Sequence, residues 1–218
     1  MFEPLLLSFQ VSLLATIIAG VSGIALGGLL SQRRFPGAQL LDAVLNAPLV
    51  LPPTVLGYYL LVLLGRESAL GQAFESVTGT SIVFTPTGAT IAAALSALPF
   101  VARSARAALE SVEPRFGEAA ATLGAPPLRV FRRVQLPLAA RGIMAGLTLG
   151  FARSLGDFGV TLMVAGNIPG RTQTASLAIY DAIQAGRESQ AGGLAAVLTT
   201  LAILALYAIN KLSPRRAH

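Results

Sequence analysis

Long apolar runs alternate with short polar, turn-rich stretches along this chain. A helix needs about 20 apolar residues to cross about 30 Å of hydrocarbon. Five segments meet or approach that length: 5–30, 43–65, 88–105, 142–166 and 192–210. The stretch 66–87 is polar and reads as a loop. The stretch 167–191 is mixed, and its Leu177-Ala178-Ile179-Tyr180 centre suits a short interfacial or re-entrant helix. The pattern predicts an all-α integral membrane protein. Residues 1–218 form one transmembrane domain of about five helices, with a long loop over 106–141.

Composition agrees with that reading. Of 218 residues, 54% are hydrophobic and 12% charged, with a mean hydropathy of +0.69. Ordinary soluble domains carry about 25% charged residues. There is no Cys, which excludes disulfide scaffolds, thiolate metal sites and Cys nucleophiles. The net charge of +6 fits basic loops on one membrane side better than nucleic-acid binding. Twelve of the 16 basic residues fall on one side of a five-span arrangement. They are Arg33 and Arg34, the seven arginines between Arg103 and Arg141, and Lys211, Arg215 and Arg216. The expectation is therefore an outside amino terminus and an inside carboxyl terminus. The start, Met1-Phe2-Glu3-Pro4, lacks the basic region of a cleaved signal, so the first run is read as a retained span.

The loop 106–141 is the most informative segment. Pro114 suits a first helical turn, where its missing N–H costs nothing. Arg115–Leu123 then reads as a short helix, Gly124 as a left-handed C′ residue, and Pro126-Pro127 as a stop. A second short helix, Leu128–Val134, follows, and Pro137 precedes the fourth span. By physics alone, this amphipathic, basic pair either rests on anionic lipid or docks on a protein. The spacing is Glu118-Ala119-Ala120, three residues, Gly124, nine residues, then Val134-Gln135-Leu136-Pro137. It resembles the EAA motif of permease subunits in bacterial ABC importers. Val134 stands where Ile is usual. The resemblance implies that Glu118, Ala119, Ala120, Gly124, Leu136 and Pro137 form a coupling element that docks on an ATPase subunit. The chain's one Lys, Lys211, is followed by Leu212, so no phosphate-binding Walker sequence is present. No cofactor is expected on this chain. ATP and Mg belong to the partner ATPase.

The resemblance continues through Ala47–Tyr58, Phe151–Gly159 and Asn167–Thr172. These segments are similar to the molybdate, tungstate and sulfate branch of oxyanion permeases, and the compact chain fits molybdate best. Asp157 stands where Glu is common. The resemblance implies a homodimer in the bacterial inner membrane, ATP-binding subunits in the cytoplasm, and an extracytoplasmic oxyanion-binding protein. The loops 66–87 and 167–191 would receive that protein, with Arg171 and Arg187 meeting its acidic groups. Tungstate or sulfate transport is the alternative within the branch. A passive oxyanion channel is more remote, since a channel needs no ATPase dock.

The spans themselves offer further candidates. Pro48, Pro52 and Pro53 break a regular helix, and freed carbonyls in lipid must be satisfied by protein or line a wet cavity. That makes the second span either a packed kink or a pathway element, with Asn46 and Thr54 as possible hydrogen-bonding groups. Arg153 and Asp157 are charges inside an apolar run at i,i+4 spacing. They form either a structural ion pair or a pathway site. Gly142, Gly146 and Gly150, like Gly23 and Gly27, repeat at the spacing that lets membrane helices approach closely. The only His is His218, and Asp157 is the only acid well inside a span, so an intramembrane enzyme is disfavoured.

Overall fold

The computed structural model describes residues 2–32 and 35–212. Arg33, Arg34, Arg215, Arg216 and His218 lie outside the described residues. The regular structure of the described residues is helical. The elements are α1 (Phe2–Ser31), α2 (Ala38–Val50), α3 (Pro53–Leu64), α4 (Ala69–Thr78), α5 (Pro86–Glu110) and α6 (Pro114–Thr122). They continue with α7 (Pro127–Val130), a π-helical turn (Phe131–Gln135), α8 (Leu136–Leu155), α9 (Gly159–Ala165), α10 (Ala175–Gln184) and α11 (Glu188–Leu212).

The centre of the bundle is α5, with α1 along one flank and α8 along another. Small residues make this possible. A Cβ at Gly27 would sit 2.6 Å from the Ala102 carbonyl oxygen and 2.9 Å from the Arg106 nitrogen. On the other flank, Cβ atoms at Gly142, Gly146 and Gly150 would fall 2.5 Å from Ala108 Cβ, 2.5 Å from Ser104 Cβ and 2.7 Å from Val101 Cγ2. The glycine stripe of α8 thus lies against α5 of the same chain. Gly146→Leu is expected to force these helices apart, at a cost of about 1–3 kcal/mol. Gly146→Ala should be milder. Thermal unfolding and the yield of detergent-extracted protein check this. A Leu variant as stable as the parent would contradict the close approach.

Several boundaries differ from the sequence expectation. The second run is not one span. It breaks between α2 and α3 with a bend of 117°. A residue before proline is driven out of the α region, and here two in a row precede proline. Leu51 and Pro52 are both extended, with ψ of 140°. The fourth run also breaks: α8 stops at Gly156, and α9 restarts at Gly159. The third span is longer than expected and reaches Glu110. The stretch 66–87 is not all loop. It contains α4, capped by Ser68, whose Oγ accepts the Gly71 N–H at 2.8 Å. The mixed stretch 167–191 contains α10, with Leu177 fully buried. Its first turn is capped from α1, because Ser8 Oγ accepts the Ala175 N–H at 2.7 Å.

The expected second short helix of the long loop is not separate either. Residues Pro127–Leu155 run as one helix through the π-helical turn. Pro137 explains that turn. In a regular helix its ring would collide with the carbonyl four residues back. The wider turn, with the Leu136 N–H reaching the Phe131 carbonyl, accommodates it.

Candidate functional site

Asp157 sits in the gap between α8 and α9 and is 3% exposed. Its Oδ1 faces Arg153 Nη1 at 3.0 Å and accepts from Ser96 Oγ at 2.9 Å. Its Oδ2 accepts the Thr161 N–H at 3.1 Å and the Thr161 hydroxyl at 2.6 Å. One carboxylate therefore ties together α8, α9 and α5. It also satisfies a backbone N–H freed by the restart of α9, as a capping side chain does. The guanidinium of Arg153 is about one-third exposed. Such a carboxylate has little capacity left for a passing ligand. The geometry favours the structural reading of the pair over a pathway role for Asp157.

The two helix breaks meet. A Cβ at Gly159 would lie 2.7 Å from Pro53 Cβ, and one at Gly57 would lie 2.5 Å from Met163 Cβ. Here α3 and α9 stack, and Leu56, Leu60, Val160 and Val164 form one apolar cluster with Ile82, Val83 and Ala92. Pro52, Pro53 and Thr54 remain exposed at the surface of the single chain. Asn46 does not point at them. Its Nδ2 donates to the Asp42 carbonyl at 2.6 Å, and its Oδ1 is buried without a partner.

Next to Asn46 lies an ion network absent from the sequence reading. Arg106 bridges Asp42 of α2 at 3.0 Å and Glu110 of its own helix at 2.9 Å. The i,i+4 spacing of Arg106 and Glu110 was a readable signal; the pairing with Asp42 was not.

At the same end of the molecule, α6 buries none of its residues. Glu118 and Ala119 are exposed, Ala120 is half-buried, and Leu123 is 88% exposed. The helix closes in a Schellman motif. The Gly124 N–H donates to Ala121 O at 2.9 Å and the Ala125 N–H to Ala120 O at 3.2 Å. Gly124 has φ of +78°, and a Cβ there would meet nothing within 4 Å. A cleft of ≈ 830 Å³ separates α6 from the bundle, lined by Gln32, Glu110, Gly117, Glu118, Phe131 and Gln135. Leu136 and Pro137 are not part of this exposed knob. Leu136 packs against Ala105, Leu109, Ala139 and Ile143, and Pro137 lies on the outer side of the long helix.

The described residues thus form a membrane-spanning helical bundle with two broken apolar runs and an uncovered helical knob at one end. The chain belongs to the family described as "Binding-protein-dependent transport system inner membrane component", which matches residues 19–217. It is a multi-pass inner-membrane protein. Over 206 residues it is 44% identical to the molybdenum transport system permease protein ModB of Escherichia coli (strain K12), covering 94% of this chain and 90% of that protein. It is 40% identical over 210 residues to ModB of Haemophilus influenzae, covering 96% and 92%. The sulfate transport system permease protein CysT of Salmonella typhimurium is 37% identical over 212 residues, covering 95% of this chain and 76% of that protein. The fold matches a chain of the inward-facing MetNI methionine ABC transporter with a TM-score of 0.77 at 19% identity, covering 98% and 94%. It also matches a chain of a bacterial alginate ABC transporter in complex with an alginate-bound periplasmic protein. There the TM-score is 0.74 at 14% identity, covering 98% and 78%.

Proposed function

We propose that this chain is the permease subunit of an ABC importer that moves molybdate inward by alternating access. A separate ATPase subunit drives the cycle, using ATP and Mg. The observation that carries this reading is the kinship to molybdenum permeases along nearly the whole chain. The uncovered α6, with Glu118, Ala119, Ala120 and Gly124 at its far end, supports it as the surface an ATPase occupies. Two copies of the chain enclose the pathway, with the exposed Pro52-Pro53-Thr54 break and the half-open Arg153 as its lining candidates. The α6 end faces the cytoplasm in this reading, which the excess of arginine in that loop supports. The opposite end receives an oxyanion-binding protein. Sulfate is the second reading, favoured by the similarity to CysT.

Trace labelled molybdate uptake tests the proposal, in cells that lack their own molybdate permease but carry this chain with its ATPase and binding protein. Uptake that tungstate blocks and excess sulfate barely reduces is expected. An assembled complex that takes up sulfate and not molybdate would move the substrate to the second reading.

A further inference from the structure

The end opposite α6 holds a cavity to which the transport reading gives no ligand. Arg66, Thr80, Ser81, Phe84, Thr85 and Arg171 line a half-open cavity of ≈ 480 Å³. No acidic residue lines it. Among the described residues, Arg171 has no ion-pair or hydrogen-bond partner for its side chain. Arg66 faces Glu75 only at 3.7 Å, with its side chain 70% exposed, and such a surface pair contributes little. The Ser81 Oγ is buried without a hydrogen-bond partner.

Two more features raise the local positive potential and fix the wall. Thr85 caps α5 and accepts the Gly88 N–H at 3.3 Å, so the positive end of a 25-residue helix opens beside the cavity. Phe84, the one described non-glycine residue with positive φ (58°), is pinned by its N–H to the Val164 carbonyl at 2.9 Å. The cavity thus combines two guanidinium groups and a helix amino terminus, with no acid in its lining and Glu75 facing Arg66 from outside it.

We propose that this cavity is a weak binding site for a tetrahedral oxyanion, bound with part of its water shell. The proposal rests on the transport reading for its choice of anion. The volume far exceeds that of a bare oxyanion. A liquid-phase water occupies about 30 Å³, so an anion and several waters fit together. A wet, open site of this kind binds loosely and releases readily, as a conduit requires. Its effect would be to concentrate the anion at the mouth of the permease. The same chemistry would also recognise a carboxylate on a docked protein, and the test separates the two.

The complete complex of this chain with its ATPase subunits is placed in nanodiscs of phosphatidylcholine, without binding protein, and dialysed against labelled molybdate. Saturable binding in the millimolar range is expected, with competition by sulfate. Arg171→Gln should weaken it about tenfold, since a charge-assisted contact is lost. Arg171→Lys should restore most of it, Arg66→Gln should weaken it severalfold, and Lys211→Gln should leave it unchanged. Size-exclusion profiles confirm that each variant assembles. An assembled parent complex without saturable binding overturns the site, as does binding indifferent to Arg171→Gln. So does an Arg171→Gln variant that loses only its docking to the binding protein, which would make the cavity a carboxylate receptor. Uptake in intact cells keeps the two conclusions apart. Normal molybdate uptake with no dialysis binding defeats the site alone. Dialysis binding with no uptake supports the site and defeats the transport reading.

Discussion

Asp157→Ala is expected to remove most of the assembled protein. The substitution leaves the Arg153 guanidinium, the Ser96 hydroxyl and both Thr161 donors without their acceptor, at a place where the carboxylate is almost fully buried. Breaking a buried ion pair by removing one partner costs about 3–5 kcal/mol. That is a large share of the 5–15 kcal/mol or so that holds a typical domain together. Asp157→Asn keeps one carbonyl acceptor and should fall between Ala and the parent. Arg153→Gln should also be destabilising, because it leaves the Asp157 carboxylate, its side chain 1% exposed, without its counter-charge. The donors from Ser96 and Thr161 stay in place and should hold the loss below that of Asp157→Ala. Yield and melting temperature of the purified complex give the ranking. If Asp157→Ala assembles like the parent and loses only uptake, the carboxylate acts on the pathway instead.

The second large effect is expected at Gly124, and it should appear in function rather than in folding. Gly124 has φ of +78°, and a Cβ there has open space around it in the single chain. Gly124→Leu therefore costs the free chain only the backbone term, about 1–2 kcal/mol. If an ATPase covers this surface, a Leu side chain collides with it, and uptake should fall by more than tenfold while the protein still inserts. Gly124→Asn is the control. Asn tolerates the left-handed region and is smaller, so it should retain much of the uptake. Comparing uptake with ATP hydrolysis in reconstituted complexes distinguishes lost docking from lost coupling. Full uptake in Gly124→Leu would mean that α6 meets no partner at its far end.

The sequence pattern reveals some of these features and conceals others, for identifiable reasons. The first and fifth spans are continuous apolar helices, and their limits differ by only a few residues from those read off the pattern. The α2–α3 break was foreseeable because consecutive prolines act locally on Leu51 and Pro52. The α8–α9 break was not, since Gly156 and Asp157 permit a helix; tertiary bonds from Ser96 and Thr161 decide the matter. Thr161 stands four residues from Asp157, within sight of a helical reading. Ser96 is 61 residues away. The Asp42–Arg106 bridge, 64 residues apart, was hidden for the same reason. Helix α4 escaped notice because its polar composition resembles a loop, though Ser68 was a legible cap. The Schellman end at Gly124 followed from local rules alone, since glycine before Ala-Pro-Pro leaves few other choices. The long loop shrank in the structure because Pro137 widens a helix there instead of ending it.

That last point changes how motion can travel. From Pro127 to Leu155 the backbone forms a single 29-residue rod, about 44 Å long at 1.5 Å per residue. One tip adjoins α6, and the other ends at the Asp157 clamp, where α9 and the Pro53 corner meet. No slack loop lies between them to absorb displacement. A tilt of about 5° about one tip would sweep the other by roughly 4 Å, given that length. A push on α6 would thus arrive at the far joint as leverage, with the π-helical turn as the one compliant point along the shaft.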